Sequence, residues 1–232
     1  MEETINTWVR ENKQIFAKNL IEKLKITPRK TPLAFFMAGL PGAGKTEFSK
    51  NILLTLGATD ILRLDMDEIA EQIPGYTPKQ ADLFRAGAST LLNRTFDLAL
   101  KNKISFLMDG TFSSNSALKN VERAHNAGYR IEIIYIMQDP KIAWTFTKRR
   151  EKIEHRSISI EGFIKSYFDT PKNIINVMEQ KYDKINIDII RKGENNEILA
   201  QPESVSLEKM QKIDKQEINC YNKKTLQEYL ND

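Results

Sequence analysis

The feature that most constrains this chain is the segment Gly-Leu-Pro-Gly-Ala-Gly-Lys-Thr at residues 39–46. It matches the pattern G-x-x-x-x-G-K-[ST] at each fixed position, and it lies between a short apolar run and a stretch with helical spacing. Glycines in such a loop let the backbone turn so that successive N–H groups converge on phosphate oxygens. The helix that follows adds the partial positive charge of its N-terminus. The sequence therefore predicts a phosphate-binding loop between a strand and a helix.

Eight residues of this segment are predicted to bind the nucleotide. They are Gly39, Leu40, Pro41, Gly42, Ala43, Gly44, Lys45 and Thr46. Lys45 supplies a mobile positive charge for the β- and γ-phosphates, which also makes it a catalytic candidate, and the hydroxyl of Thr46 suits a Mg²⁺ ion. ATP and Mg²⁺ are therefore the expected cofactors.

Short apolar runs, mostly β-branched or aromatic, predict strands that are covered on both faces. The runs lie at residues 33–38, 61–64, 104–108, 131–137 and 185–190. Patterns with helical spacing separate them, near residues 45–56, 78–101, 114–127 and 140–154. Such alternation indicates βαβ units around a parallel sheet, which is an α/β fold.

The rest of the chain is predicted to form appendages of a single domain that spans residues 1–232. Its predicted parts are an N-terminal segment 1–30, a core 31–191 and a C-terminal extension 192–232. Apolar residues at helical spacing predict an amphipathic helix over residues 2–26. The extension is expected to turn a hairpin at residues 195–196 and to close with one or two helices.

The composition limits which classes of ligand and which cellular compartment we expect for this chain. The net charge of +4 and the pI of about 8.9 fit an anionic small ligand but are too mild to indicate nucleic acid. One cysteine excludes an intramolecular disulfide and a cysteine-cluster metal site. The acidic N-terminus does not resemble a signal peptide, and no run approaches the length of about 18 apolar residues that a membrane span needs. We therefore expect a soluble, cytoplasmic protein with no membrane partner.

Two carboxylates follow the second apolar run. Asp65 and Asp67 flank Met66 at its end. Ligands of open parallel sheets bind beyond the carboxyl ends of the strands, so these acids should point to the same crevice as the loop. One of them could accept a proton from a substrate hydroxyl, or could instead cap the helix that begins near Glu68.

The third apolar run ends in a further acid, Asp109, followed by Gly110 and Thr111. Asp109 could bind a Mg²⁺-coordinated water, anchor a substrate, or form a simple Asx-type turn. A glycine, rather than a glutamate that could polarise water, comes after this aspartate. That difference favours transfer to an organic acceptor over hydrolysis.

A cluster of cations follows the fourth apolar run. Its members include Arg149 and Arg150 in the predicted helix 140–154, and Arg156 just beyond it. A transferring phosphoryl group needs positive charge around its equatorial oxygens, which arginine supplies in a planar fork. Arg150 and Arg156 could both reach the site only if the chain bends between them. Spacing alone does not decide between Arg149 and Arg150.

Two further residues are candidates to contact an acceptor. Tyr76 follows a Pro-Gly turn after the second run, and Arg85 lies early in the predicted helix 78–101. Tyr76 could stack on a base or a sugar, or it could pack within the protein.

Taken together, these pieces resemble the zeta toxin family of P-loop kinases over about residues 31–170. The matching pieces are the loop 39–46, the Asp-Met-Asp strand end at 65–67, Asp-Gly-Thr at 109–111, and Pro140 followed by Arg149, Arg150 and Arg156. The resemblance implies a nucleotide-kinase-type three-layer sandwich, in which a five-stranded parallel sheet of order 2-3-1-4-5 carries helices on both faces.

The resemblance also implies an activity, namely ATP-dependent phosphorylation of a hydroxyl of UDP-N-acetylglucosamine. By analogy Asp67 is the base, Lys45 binds phosphates, and Arg150 and Arg156 stabilise the transferring group. By the same analogy Asp109 and Thr111 bind the amino-sugar substrate. Asp65, Tyr76 and Arg85 are further substrate-binding candidates, selected by their positions in the sequence. A small helical antitoxin is the implied protein partner.

Two other functions are compatible with the same residues. The acceptor could be another metabolite, a nucleoside or an antibiotic. Alternatively, the protein could bind ATP as a regulatory or partner-binding protein without transferring phosphate.

Overall fold

The computed structural model describes residues 2–24, 29–55, 57–154 and 157–231. The strands are β1 Leu33–Gly39, β2 Leu62–Asp65, β3 Phe106–Asp109, β4 Arg130–Met137, β5 Ile185–Arg191 and β6 Glu203–Ser204. The α-helices are α1 Glu2–Glu22, α2 Lys45–Thr55, α3 Met66–Ala70, α4 Ala81–Lys101, α5 Asn115–Asn126, α6 Pro140–Glu154, α7 Ile160–Glu179, α8 Leu207–Ile213 and α9 Lys223–Asn231. A 3₁₀ turn, Pro78–Gln80, precedes α4, and a π-helical turn, Asp214–Ile218, follows α8.

The sheet has the order β2-β3-β1-β4-β5-β6, with helices on both sides. Strands β1 to β5 are parallel and follow the predicted order, so the α/β prediction is confirmed. The prediction of five strands is wrong, because β6 adds an antiparallel sixth strand to the edge of β5. Strand β6 has two exposed residues, Glu203 and Ser204, and so carries no apolar run that sequence analysis could detect.

The order of the strands places β1 in the middle of the sheet, between β3 and β4. Burial along β1 and β4 is nearly continuous, as expected for strands that are covered by helices on both faces. Because β1 and β3 are adjacent and parallel, the loop after Gly39 and the acid at Asp109 lie at the same edge of the sheet.

Helix α1 packs on α4 and forms a small apolar cluster of its own. Ile5 and Val9 of α1 meet residues of α3 and α4, among them Phe84 and Leu91. Gly87 permits the close approach of the two helices, because a Cβ there would lie 3.1 Å from Val9 and 3.3 Å from Ile5. The N-terminal helix therefore supports the helices beside the second strand.

Two further differences separate the structure from the sequence prediction. Helix α7 was not predicted; Ser159 caps it by accepting a hydrogen bond from the N–H of Gly162 at 3.1 Å. Helix α1 ends at Glu22, and residues 25–26 of the predicted helix lie outside the described residues. The hairpin predicted at residues 195–196 is present, with an antiparallel bridge between Lys192 and Ile198.

In the described ranges, no helix combines the length and the apolar character that a bilayer span requires.

The packing of α1 gives a stability prediction. We expect Ile5→Ala to lower the free energy of unfolding by about 2–5 kcal/mol, because Ile5 is buried and its removal leaves a cavity beneath α1. Chemical denaturation monitored by circular dichroism measures this loss.

Ile15→Ala is the matched control on the same helix. Ile15 is 56% exposed, so its truncation should change the unfolding free energy by less than about 0.5 kcal/mol. Equal losses in the two variants would contradict the described packing of α1.

Candidate active site

The phosphate-binding loop packs directly against helix α6. Gly42 has φ of +79°, and a Cβ at this position would overlap the carbonyl oxygen of Ala143 and lie 2.6 Å from Oγ1 of Thr147. A residue with a side chain could not take this place, for reasons of both space and conformation. The second glycine of the motif therefore brings the loop and α6 into contact.

Lys45 begins α2 and lies inside the loop. Its side chain is nearly buried, and Nζ donates a hydrogen bond to the carbonyl oxygen of Leu40 at 2.6 Å. Burial lowers the pKa of Lys45 to about 8, with Asp109 acting in the opposite direction and Arg150 adding to the lowering. The lysine is thus a buried cation next to acids from the neighbouring strands, as a phosphate-binding lysine requires.

The segment after β3 is fixed to the loop and to α7. The N–H of Gly39 donates to the carbonyl oxygen of Thr111 at 3.2 Å, and Thr170 of α7 donates to the same oxygen at 2.8 Å. Asn173 of α7 donates to the carbonyl oxygen of Phe112, a buried residue held at a left-handed φ of +63°. A non-glycine residue at positive φ needs such support from its surroundings. Through these hydrogen bonds, helix α7 holds the backbone of the Asp-Gly-Thr segment and of the residue after it in place.

Asp65 and Asp109 are register partners at the ends of β2 and β3. Asp65 caps α3, with Oδ1 accepting hydrogen bonds from the N–H groups of Asp67 at 2.8 Å and Glu68 at 3.4 Å. Burial and the neighbouring charge of Asp109 raise the pKa of Asp65, and Arg63 opposes that rise. Asp65 therefore caps α3, which is one of the two roles that the sequence allowed for the strand-end acids. Its contact with substrate stays a prediction.

Asp67 and Arg150 face each other across the opening of the loop. Nη2 of Arg150 lies 3.9 Å from Oδ2 of Asp67, and the two side chains are 46% and 56% exposed. Arg149 instead stacks over the ring of Phe146, with 5.6 Å between its guanidinium carbon and the ring centroid. The structure therefore places Arg150, rather than Arg149, beside the loop.

Ser49 connects the Thr46 turn to Asp109. Its hydroxyl is 3.0 Å from the carbonyl oxygen of Thr46 and 3.0 Å from Oδ2 of Asp109. The sequence analysis did not select Ser49, although its position one turn after the loop is a signal that could have pointed to it.

The hairpin after β5 reaches the loop from the other side. Nδ2 of Asn196 donates to Oε2 of Glu47 at 3.2 Å, and a Cβ on Gly44 would lie 3.0 Å from the Asn196 amide. Lys192 supports the turn by donating to the carbonyl oxygen of Asn196 at 2.8 Å. Sequence reasoning predicted the turn but not its approach to the loop.

The remaining predicted residues have different surroundings. Tyr76 packs edge-to-face against Phe84, with 5.3 Å between ring centroids, in the apolar cluster beneath α1. Arg85 is exposed and forms an ion pair with Asp82 of the same helix at 3.1 Å. Arg156 lies outside the described residues. Substrate contact by Tyr76 and Arg85, and phosphate contact by Arg156, stay predictions.

The close approach at Gly42 gives a prediction about the loop. We expect Gly42→Ala to lower the free energy of unfolding by about 2–5 kcal/mol, since it adds left-handed strain of about 1–2 kcal/mol to overpacking of about 1–3 kcal/mol. ATP binding should be lost. Denaturant titration and calorimetric ATP titration measure the two effects.

Gly75→Ala is the matched control, because Gly75 has φ of +81° but no atom within 4 Å of the position of a Cβ. It should show the strain cost of about 1–2 kcal/mol alone and keep ATP binding. Similar behaviour of the two variants would contradict the packing of the loop on α6.

The pKa of Lys45 gives a prediction about pH. Below its pKa of about 8, Lys45 is charged in the free protein; above it, binding of phosphate must first take up a proton. ATP affinity should therefore weaken by up to about tenfold per pH unit as pH rises above 8. Calorimetric titration of ATP between pH 7 and pH 9.5 measures this dependence.

Lys45→Met should bind ATP weakly, without this dependence on pH. A wild-type affinity that is constant across the range would show that the lysine does not titrate there.

Known proteins resemble this chain in both sequence and fold. The structure from the PezAT chromosomal toxin–antitoxin system of Streptococcus pneumoniae superposes with a TM-score of 0.65 and 17% identity, covering 91% of this chain and 87% of that one. The complex AvrRxo1-ORF1:AvrRxo1-ORF2 with ATP gives a TM-score of 0.62 and 15% identity, covering 91% of this chain and 71% of that one. These structures show that the fold is shared.

Sequence comparison gives a relative and a family. An uncharacterised protein of Haemophilus influenzae is 32% identical over 103 residues, which are 44% of this chain and 69% of that protein. The Zeta toxin family matches residues 18–204, a range that contains the loop, the strand-end acids and the hairpin described above. The chain therefore belongs to the Zeta toxin family.

Proposed function

We propose that this protein is an ATP-dependent phosphotransferase that transfers the γ-phosphate to a hydroxyl of a small molecule, with UDP-N-acetylglucosamine as the preferred acceptor. The observation that carries the proposal is the convergence of Lys45, Arg150 and Asp67 at the opening of the loop. Two cations to neutralise the phosphates and a partly exposed carboxylate to accept the proton of the acceptor hydroxyl are the groups that phosphoryl transfer needs.

The loop supports ATP as the phosphate donor. Its backbone N–H groups and the N-terminus of α2 suit the binding of phosphate oxygens. Lys45 provides the positive charge that compensates the charge of the phosphates. The related AvrRxo1 complex was determined with ATP, which supports the same ligand here. The amide of Asn196 lies against the loop at Gly44, where it adds a polar group to the wall of the nucleotide site.

The residues near Thr46 fit a Mg²⁺ ion. Mg²⁺ commonly uses one or two protein oxygens and completes its shell with phosphates and water. The Ser49 hydroxyl lies 3.0 Å from both the carbonyl oxygen of Thr46 and Oδ2 of Asp109, so a hydroxyl and a carboxylate lie close to the loop. In the proposal Thr46 holds the ion, which would neutralise charge on the β- and γ-phosphates.

Asp67 and Arg150 have complementary parts in the transfer. The acceptor hydroxyl gives its proton to the Asp67 carboxylate as its oxygen bonds to the γ-phosphorus. The bond between that phosphorus and the β–γ bridging oxygen breaks, and ADP leaves with the bond's electron pair. The guanidinium of Arg150, 3.9 Å from Asp67, neutralises charge on the transferring group.

A row of hydroxyl groups supports a sugar as the acceptor. Oγ1 of Thr111 lies 2.7 Å from Oγ of Ser113, which lies 3.2 Å from Oγ of Ser166. Hydroxyls of this kind both donate and accept, and therefore suit a polyhydroxy ligand. Asp109 has one oxygen engaged by Arg63 and Ser49, so the acceptor would meet its other oxygen. The choice of UDP-N-acetylglucosamine among such ligands rests on the resemblance to the zeta toxin family.

A small antitoxin is the proposed protein partner, in the cytoplasm. The similar structures come from the PezAT toxin–antitoxin system and from a two-protein AvrRxo1 complex. Co-purification with the product of a neighbouring open reading frame would test this part of the proposal.

The direct test is a transfer assay with [γ-³²P]ATP and Mg²⁺. UDP-N-acetylglucosamine, nucleosides and a no-acceptor sample form the panel, and Lys45→Ala is the inactive control. We expect label on UDP-N-acetylglucosamine with the wild-type protein and no label with Lys45→Ala. Label on a different acceptor would move the proposal to that substrate, and bound ATP without transfer to any acceptor would favour a regulatory nucleotide-binding protein.

Variants of the two exposed groups test the mechanism. We expect Asp67→Asn to lower kcat by about 10²–10⁴-fold through loss of the base. Arg150→Met should lower kcat by about 10²-fold. Steady-state kinetics with the identified acceptor measures both.

Arg149→Met is the control for Arg150, because Arg149 stacks on Phe146 in the same helix. It should leave kcat unchanged. A wild-type rate in Asp67→Asn would remove Asp67 from the mechanism.

A further inference from the structure

Arg63 occupies an unusual position on β2. Its side chain is 12% exposed, and Nη2 donates to Oδ2 of Asp65 at 2.7 Å and to Oδ2 of Asp109 at 2.6 Å. Its Nη1 pairs with Glu68. One guanidinium thus joins acids from the end of β2, the first turn of α3 and the end of β3.

The same acids are also joined to helix α2, which follows the loop. Nζ of Lys50 lies 3.0 Å from Oε1 of Glu68, and the Ser49 hydroxyl donates to Asp109 at 3.0 Å. Arg63 therefore lies at the centre of a network that connects α3 with both β3 and α2.

Helix α3 depends on this network for its place. It has five residues, too few for a helix that is stable by itself. Its cap, Asp65, uses one oxygen to hold the N–H of Asp67 and the other to accept from Arg63. Since Arg63 also holds Glu68, it binds the short helix at its cap and in its first turn.

We propose that Arg63 is a positioning residue for phosphoryl transfer, which holds α3 so that the carboxylate of Asp67 faces Arg150 at the opening of the loop. This inference rests on the proposed function. Both terminal nitrogens of Arg63 are engaged by protein carboxylates, and the side chain is nearly buried, so it acts through Asp67 and does not bind nucleotide or acceptor. The loop lies between β1 and α2, outside the short helix that Arg63 holds, so ATP binding should not require Arg63.

Kinetics of two variants tests the proposal. Misplacement of a reacting group by about 1 Å can cost about 10²-fold in rate, so Arg63→Met should lower kcat by about 10- to 100-fold. The KM for ATP should stay within about twofold of wild type, because the acids that Arg63 binds, Asp65, Glu68 and Asp109, lie outside the loop 39–46. Arg63→Lys keeps the charge but lacks the planar fork that serves three acids, so it should recover part of the lost rate.

Arg29→Met is the matched control. Arg29 binds Asp60 through Nε and Nη2, with a shortest contact of 2.9 Å, just before β2 and therefore at the other end of the strand. This variant should lose some stability and keep kcat. Full kcat in Arg63→Met, or equal losses of kcat in the Arg63 and Arg29 variants, would overturn the proposal.

Hydrogen–deuterium exchange supplies a readout that does not need activity. We expect faster exchange of the amides of residues 66–71 in both Arg63 variants, with no change in Arg29→Met. If the wild-type protein transfers phosphate to no acceptor, the proposed function fails, whereas unchanged exchange in the Arg63 variants refutes the positioning of α3 separately. If Arg63→Met does not fold, Arg63→Lys decides by the same two measurements.

Discussion

The close contact between Gly42 and the carbonyl oxygen of Ala143 determines how the site is assembled. Because no side chain separates the two backbones, α6 lies against the loop and carries Arg150 to the same opening as Lys45. A single hydrogen bond from Gly39 to Thr111 then joins the loop to the segment after β3. Backbone contacts thus hold α6 and the segment after β3 against the loop, and the side-chain network around Arg63 joins the strand ends to α2 and α3.

The charges of the site are arranged in two layers. Arg63 and Asp109 are nearly buried, below the surface, whereas Asp67 and Arg150 are about half exposed. Buried charges are tolerated only when they are paired, so the lower layer is a fixed network of partners. The upper pair, with side chains 46% and 56% exposed, is open to solvent on one side. This division suits a site in which the lower groups maintain geometry while the upper groups meet a changing substrate.

Much of this architecture could be predicted from the sequence, and the omissions have physical reasons. The apolar runs predicted five parallel strands, because buried parallel strands are almost continuously apolar. The order of those strands followed from the resemblance to the zeta toxin family and not from the pattern of residues. Helix α7 contains Pro171, a residue that usually ends helices, and therefore did not appear as one. Strand β6 is too short and too polar to carry a pattern.

The residues of the site could also be predicted only in part. The acids and Arg150 follow motifs and could be selected by position along the chain. The ambiguity between Arg149 and Arg150 could not be resolved, because it depends on how α6 is rotated against the loop. Arg63 and Asn196 were missed for a different reason. The contacts of Arg63 with Asp109 and of Asn196 with Glu47 join residues far apart in sequence, and an isolated arginine in an apolar run or an asparagine in a turn has no spacing that would reveal them.

The two edges of the sheet have a consequence for the behaviour of the protein at high concentration. An exposed edge strand offers unpaired N–H and C=O groups to which another chain can add. Here one edge, β2, has four residues, and the other, β6, has two, with the hydroxyl of Ser204 bound to Asp188 on β5. Strand β6 thus covers part of the longer, apolar strand β5, and the edge of the sheet there is short and polar. The added strand therefore leaves fewer unpaired backbone groups at this edge to which another chain could add.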